Sequence, residues 1–153
     1  MVKLLLEEGA SVNKRDKRSK TAIYHAIDNE RGENLHVISL LLEKHADVNY
    51  ECSDQSPTPL IKAIERSHLK TVKMLLSNKA DINMPNSTTG NTPLHCASKG
   101  NSLPIIKELI TRHADTNARN KKGKYPHEMV SNDDIAKFYK SFGSGIFNSH
   151  YRD

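Results

Sequence analysis

The chain has 153 residues, of which 36% are hydrophobic and 5% aromatic with no Trp, and a formal charge of +5. No apolar run approaches the roughly 20 residues a membrane helix needs, and the apolar stretch after Met1 is too short for a signal peptide. Cys52 and Cys96 are far apart and form no metal or redox motif, so they read as free thiols in a reducing, intracellular setting, cytoplasmic first and nuclear second.

Taken in chain order, Val2–Gly9 has the leucine pattern of a short helix and leads into Gly9-Ala10-Ser11-Val12-Asn13. The basic turn Lys14–Lys20 follows, then Thr21-Ala22-Ile23-Tyr24-His25-Ala26. This hexad returns as Thr58-Pro59-Leu60-Ile61-Lys62-Ala63, as Thr92-Pro93-Leu94-His95-Cys96-Ala97 and, worn, as Tyr125-Pro126-His127-Glu128-Met129-Val130, at steps of 37, 34 and 33 residues. A fixed period in this range marks a solenoid, in which each unit buries its apolar face against its neighbours. One unit can be built from local rules. Thr58 and Thr92 suit an N-cap, and Pro59 and Pro93 suit the first helical position, where a missing N–H costs nothing. Leu60, Ala63 and Ile64 share one helix face. The chain then turns at Arg66-Ser67-His68, and Leu69, Val72, Leu75 and Leu76 define a second helix. Each unit leaves through a short segment, His45–Asn49, Ala80–Asn83 or His113–Asn117, into a turn-rich tip such as Ser53–Pro57 or Asn86–Asn91. The sequon Asn86-Ser87-Thr88 is read as chance, given no secretion signal.

The hexad at Thr92–Ala97 and the Leu-Leu…Ala-Asp-x-Asn exits resemble the ankyrin repeat over about residues 2–140. The resemblance implies an all-α solenoid of stacked helix-turn-helix units with projecting β-turn or hairpin loops. It divides the chain into a partial repeat 1–16, full repeats 17–52, 53–86 and 87–120, and a partial terminal repeat 121–142, in one domain 1–142 with a flexible tail 143–153. It implies protein–protein recognition through the tips and the exposed first-helix residues on a concave face. By position those helix residues are His25 and Asp28, Lys62 and Glu65, and Cys96 and Lys99. The motif histidine His95 is expected to bond within its own repeat. In the family, asparagines at the site of Asn49, Asn83 and Asn117 can be hydroxylated; the plainer expectation is that each, with Asn13, bonds the hairpin backbone.

The departures carry expectations of their own. Where the family has Gly after the second helix, this chain keeps Gly9 but has His45, Lys79 and His113, each expected in the left-handed conformation. A three-residue insertion around Asp28–Asn34 lengthens the first inter-helix turn, either as a binding feature or as a tolerated loop. Val2–Gly9 matches only a second helix, which suggests a piece of a longer repeat array, such as a structural or regulatory segment of a channel, toxin or pathogen effector, or else a monomer whose N-terminal helix is exposed or pairs with something else. At the other end Ser131–Asp134 should cap a last helix, Ile135–Phe142, whose Ile135, Phe138, Tyr139 and Phe142 would close the core.

The residues argue against chemistry. His25, His45, His95, His113 and His127 fall at or near repeat positions, and no His-x-x-x-His, Cys-x-x-Cys, phosphate loop or nucleophile elbow occurs. No enzyme, metal or cofactor is expected. Charge is concentrated in two tips: Lys14–Lys20 has five bases and one acid, and Arg119–Lys124 has four bases. Helix layers about 8–10 Å apart put these tips roughly 30 Å from each other, well beyond the ~8 Å screening length. They cannot form one basic stripe, and no aromatic residues interleave them for base stacking, which disfavours nucleic acid. The expected partner is a protein with acidic patches. The expected contacts are Arg15, Lys17, Arg18 and Lys20 at the first tip, Lys121, Lys122 and Lys124 at the last, and His25, Asp28, Lys62, Glu65 and Lys99 between them.

Overall fold

The computed structural model describes residues 4, 8–29, 32–51 and 57–143. Most of the expected N-terminal helix, Cys52, most of the second tip and residues 144–153 of the expected tail lie outside the described residues. Among the described residues seven helices follow in order: α1 (Ala22–Ile27), α2 (Leu35–Glu43), α3 (Pro59–Glu65), α4 (Leu69–Ser77), α5 (Pro93–Lys99), α6 (Leu103–Thr111) and α7 (Asp133–Gly143), with a 3-10 turn at Pro126–Met129 before α7. The described residues contain no strand.

The helices form two layers. First helices stack α1 on α3 on α5 on the 3-10 turn, second helices stack α2 on α4 on α6, and each first helix pairs with its own second helix. The buried faces follow the sequence periodicity. Ile23, Ile27, Leu60, Ala63, Ile64, Leu94 and Ala97 come from the first layer, and Ile38, Leu41, Val72, Leu75, Ile105, Ile106 and Leu109 from the second. Ala63 and Ala97 are fully buried, and side chains this small let paired helices approach closely.

Capping decides where the first helices start, and it differs between repeats. Thr92 Oγ1 accepts from the His95 N–H and Thr58 Oγ1 from the Ile61 N–H, each with Pro at the first position. Thr21 makes no such bond, and its buried hydroxyl has no partner among the described residues. Tyr24 occupies the place of His95 there and offers no ring nitrogen to that hydroxyl. In the terminal unit Glu128 takes over half of the histidine's work, accepting from the Tyr125 N–H at 2.7 Å.

His45, Lys79 and His113 adopt φ of +60°, +67° and +64°, and Gly9 adopts +88°. At each of the three, an N–H bonds back into the finished helix, as with His113 to the Ile110 carbonyl and Ala114 to that of Leu109. Ser67 and Asn101, in the turns between paired helices, are left-handed as well, at +57° and +51°.

At the end of the stack, Asn132 Oδ1 caps α7 by accepting from the Asp134 and Ile135 N–H groups. Ile135 and Tyr139 are buried, and Tyr139 shares a 2.7 Å hydrogen bond with Ser98 Oγ of the preceding repeat. Phe138 packs partly against the core, but Phe142 is 38% exposed and, among the described residues, stacks on Phe138. The expected four-residue closure is therefore a two-residue closure. Phe142 lies beyond the turn of α7 that meets Ser98.

Candidate functional site

The tips are ordered by one recurrent device, an Asx residue that folds the loop over itself. Asp16 Oδ1 accepts from the Arg18 and Lys20 N–H groups, Asn86 Oδ1 from those of Thr88 and Thr89, and Asn120 Oδ1 from those of Lys122 and Lys124. The backbone of the same residues closes each loop, as with the Asp16 N–H to the Lys20 carbonyl and the Asn120 N–H to the Lys124 carbonyl. The Asp16 carboxyl is held down to about 2, first by the Lys20 N–H and then by His25, whose Nε2 lies 2.8 Å away.

Adjacent tips are tied together. Glu51 accepts from the Ser87 N–H, the Lys121 N–H donates to the Thr89 carbonyl, and Asn120 Nδ2 donates to Asn91 Oδ1. Below them runs a ladder of asparagines. Asn13 Oδ1 accepts from the Asp47 N–H, Asn49 Oδ1 from that of Asp81 and Asn83 Oδ1 from that of Asp115, at 2.7–2.8 Å. Asp47, Asp81 and Asp115 each accept in turn from the N–H of the Asn two residues on. The expected bond from the Asn side chain to hairpin backbone is present at Asn13, Asn49 and Asn83, and the backbone it reaches belongs to the next repeat. That bond depends on stacking, which one repeat's local sequence does not show.

His95 is also more than a local bond. Its Nδ1 accepts from the Thr92 N–H at 3.2 Å and sits 2.8 Å from the Thr92 hydroxyl, as expected within the repeat. Its Nε2 donates to the Lys124 carbonyl at 2.8 Å, clamping the last tip to α5. The ring is fully buried, and burial pushes its pKa below the usual histidine value.

Ten of the twelve expected contact residues divide into three groups, and Glu65 and Lys99 lie at a groove. The side chains of Lys17, Arg18, Lys122 and Lys124 are exposed and form no ion pair among the described residues. A second group is engaged within the molecule at the tips: the Arg15 guanidinium lies 4.1 Å over the Tyr50 ring, His25 meets Asp16, and Lys121 Nζ donates to the Ser87 carbonyl. A third group converges on Asp28 at the end of α1. Lys20 and Lys62 lie 3.8 and 3.7 Å from its carboxylate, and Arg66, which sequence reading did not single out, donates to it through Nε at 3.1 Å. Burial would raise the Asp28 pKa, but the Arg66 hydrogen bond and the charges of Lys62, Arg66 and Lys20 bring it below the usual carboxylate value. The flank of the expected insertion thus braces the second repeat through Asp28, and also through Glu33, which accepts from the Thr71 N–H at the start of α4.

Glu65 and Lys99 lie beside a groove of about 460 Å³ between the second and third repeats. Ile61, Ile64 and Cys96 line it from the helices, and Thr88, Thr89 and Asn91 from the tip. Burial, aided by Glu65, pushes the Cys96 thiol up to about 12, far from a reactive thiolate. Among the described residues no group of three or more His, Cys, Asp or Glu is placed to hold a metal ion, and no helix is long and apolar enough to cross a membrane.

Stacked helix pairs, left-handed exits and tips tied from unit to unit define a helical repeat solenoid. The chain belongs to the ankyrin-repeat family: the family described as "Ankyrin repeats (3 copies)" matches residues 1–86 and 33–120. Over 69 residues it is 30% identical to the "Ankyrin repeat and KH domain-containing protein mask-1" of Caenorhabditis elegans, a match covering 45% of this chain and 3% of that protein. Ankyrin repeats are a general protein–protein interaction module, and the family is generally non-enzymatic.

Proposed function

We propose that this protein is a non-catalytic recognition module that binds another protein through the face formed by α1, α3, α5 and the tips. The observation that carries the reading is the groove between α3 and α5, whose apolar lining of Ile61, Ile64 and Cys96 lies beside Glu65 and Lys99 of opposite charge. Its volume suits a few side chains of a larger partner, at the small end of the range for ligand pockets. The surrounding backbone is fixed by the Asx turns and the ladder, so a partner would meet a preformed surface with little ordering cost. The raised Cys96 thiol and the fully engaged His95 ring support a role without catalysis.

The test is a nuclease-treated pull-down at physiological salt, with bound proteins identified by mass spectrometry. Three variants are compared with the native chain: Lys17→Glu with Arg18→Glu, Lys122→Glu with Lys124→Glu, and Glu65→Lys with Lys99→Glu. A protein retained by the native chain and lost with the groove variant supports the reading and places the contact at the groove. Capture that survives all three variants, each folded by circular dichroism, refutes it.

A further inference from the structure

Two rungs of the asparagine ladder are bidentate. Asn13 Nδ2 donates to the His45 carbonyl at 3.4 Å while its Oδ1 accepts from the Asp47 N–H at 2.8 Å. Asn49 treats Lys79 and Asp81 in the same way, at 3.2 and 2.7 Å. Each amide therefore reads a main-chain carbonyl together with the N–H two residues further on. The residue that supplies the carbonyl is His in one case and Lys in the other. Asn117 stands at the same place after the third full repeat. Its N–H donates to Asp115 Oδ1 at 2.8 Å, as those of Asn49 and Asn83 do to Asp47 and Asp81 at 2.9 Å. Asp115 is itself held, through its own N–H, by Asn83. The residue is exposed, and neither Oδ1 nor Nδ2 of Asn117 has a hydrogen-bond partner among the described residues. Hydration satisfies such an amide, so what sets Asn117 apart is a preset position rather than an unmet cost.

We propose that the Asn117 amide is a docking point for the main chain of an extended segment on the protein partner, donating to one carbonyl and accepting from the N–H two residues on; this rests on the recognition reading above. The pattern of donor and acceptor selects the ligand, whatever its charge. Carboxylates, phosphates and phosphodiesters offer acceptors only, so they fill Nδ2 and set oxygen against Oδ1. An ammonium offers donors only. An extended main chain offers both along one edge at every second residue, which is the basis of recognition by strand addition. An adenine edge also offers both. It would need an open aromatic face to stack on, and Tyr125, beside the last tip, has the Arg119 guanidinium 4.5 Å over its ring.

The experiment titrates the isotope-labelled full chain with an N-acetylated, amidated peptide of the 77–83 sequence, Ser-Asn-Lys-Ala-Asp-Ile-Asn, which contains the pair that fills the Asn49 amide. Side-chain NH2 resonances are followed by NMR, and the Asn117 pair is expected to shift most. A second peptide has an ester oxygen in place of the Asp N–H. It lacks only that donor and should bind about fivefold more weakly. Asn117→Ala should keep the native melting temperature and weaken peptide binding about tenfold, the equivalent of two hydrogen bonds. Lys122→Gln should leave binding unchanged. Tetraglutamate, inorganic phosphate and adenosine are the comparison probes. The proposal is overturned by no shift at Asn117, by equal binding of the ester peptide, by binding that depends on Lys122 instead, or by tighter binding of any comparison probe at Asn117. A nuclear Overhauser contact in the free chain between the Asn117 NH2 and a residue after Gly143 would make the chain itself the occupant and overturn the assignment to a partner. A partner captured in the pull-down whose binding ignores Asn117→Ala overturns the docking point and leaves recognition standing. Peptide binding at Asn117 with no captured partner supports the site and counts against the recognition reading alone.

Discussion

Replacing His95 with Ala isolates the contact that joins the third repeat to the last tip. The imidazole is fully buried, and its loss strands two backbone groups: the Thr92 N–H, which donates to Nδ1, and the Lys124 carbonyl, which accepts from Nε2. Each buried unsatisfied group costs about 1–3 kcal/mol, and the vacated ring volume adds to that, so a loss of about 3–5 kcal/mol is expected. This is a large share of the ~5–15 kcal/mol that typically holds a domain folded. Urea unfolding should show a lower midpoint, and hydrogen exchange should rise first over 119–130. His95→Gln provides the internal control. Its amide oxygen can accept from the Thr92 N–H, as Glu128 does from that of Tyr125, but its shorter reach leaves Lys124 unbonded. Its loss should fall between those of the native chain and the Ala variant. Because the folded His95 pKa lies below the unfolded one, protonation favours the unfolded chain. The His95 contribution is therefore complete above about pH 6.5 and declines as pH falls below it toward the folded value. The Gln variant should lack this component of the decline. A loss under about 1 kcal/mol for the Ala variant, with an unchanged denaturant slope, would refute the clamp.

Three other perturbations test the remaining architecture. His113→Gly relieves a left-handed side chain at φ +64° and should raise stability by about 0.5–1 kcal/mol, seen as a higher melting temperature; a lower one would contradict the strain assigned there. Gly90→Ala should cost more than Gly123→Ala in urea unfolding, by roughly 1 kcal/mol or more. Both glycines have positive φ, but only at Gly90 would the new Cβ meet backbone, 2.7 Å from the Lys121 nitrogen. In a Cys52→Ser background, Cys96 should react with a thiol reagent at pH 7.5 far more slowly than a free thiol, since burial pushes its pKa up to about 12 and leaves little thiolate; labelling at the rate of a free thiol would overturn that shift.

What the sequence revealed was the chemistry of single units. Thr58 and Thr92 before proline mark helix starts because a cap and its helix are a few residues apart, and the left-handed His45, Lys79 and His113 stand out because each follows a finished helix. Contacts between units were hidden for the converse reason. Ser98 and Tyr139 are 41 residues apart, and Asn49 meets Asp81 only once the units have stacked. At the candidate site, sequence position placed Lys20 in the first tip and Asp28 and Lys62 among the exposed residues of the first helices. It could not show that they turn toward each other, or that Arg66 joins them, because that depends on the α1–α3 contact. Phe142 was expected inside on hydrophobicity and shares the face of Ile135, Phe138 and Tyr139, but it lies one turn further along the helix and is 38% exposed.

The asparagine ladder has a consequence for how such a chain can change length. Every rung joins a side-chain oxygen of one unit to the N–H of an Asp in the next, and that Asp is followed two residues later by the Asn of the following rung. A stretch running from one Asn to the next therefore contains one donor end and one acceptor end. Duplicating or deleting that stretch in the gene leaves no rung with a missing half, so the number of units can drift over generations while the bonding pattern at every junction is inherited whole.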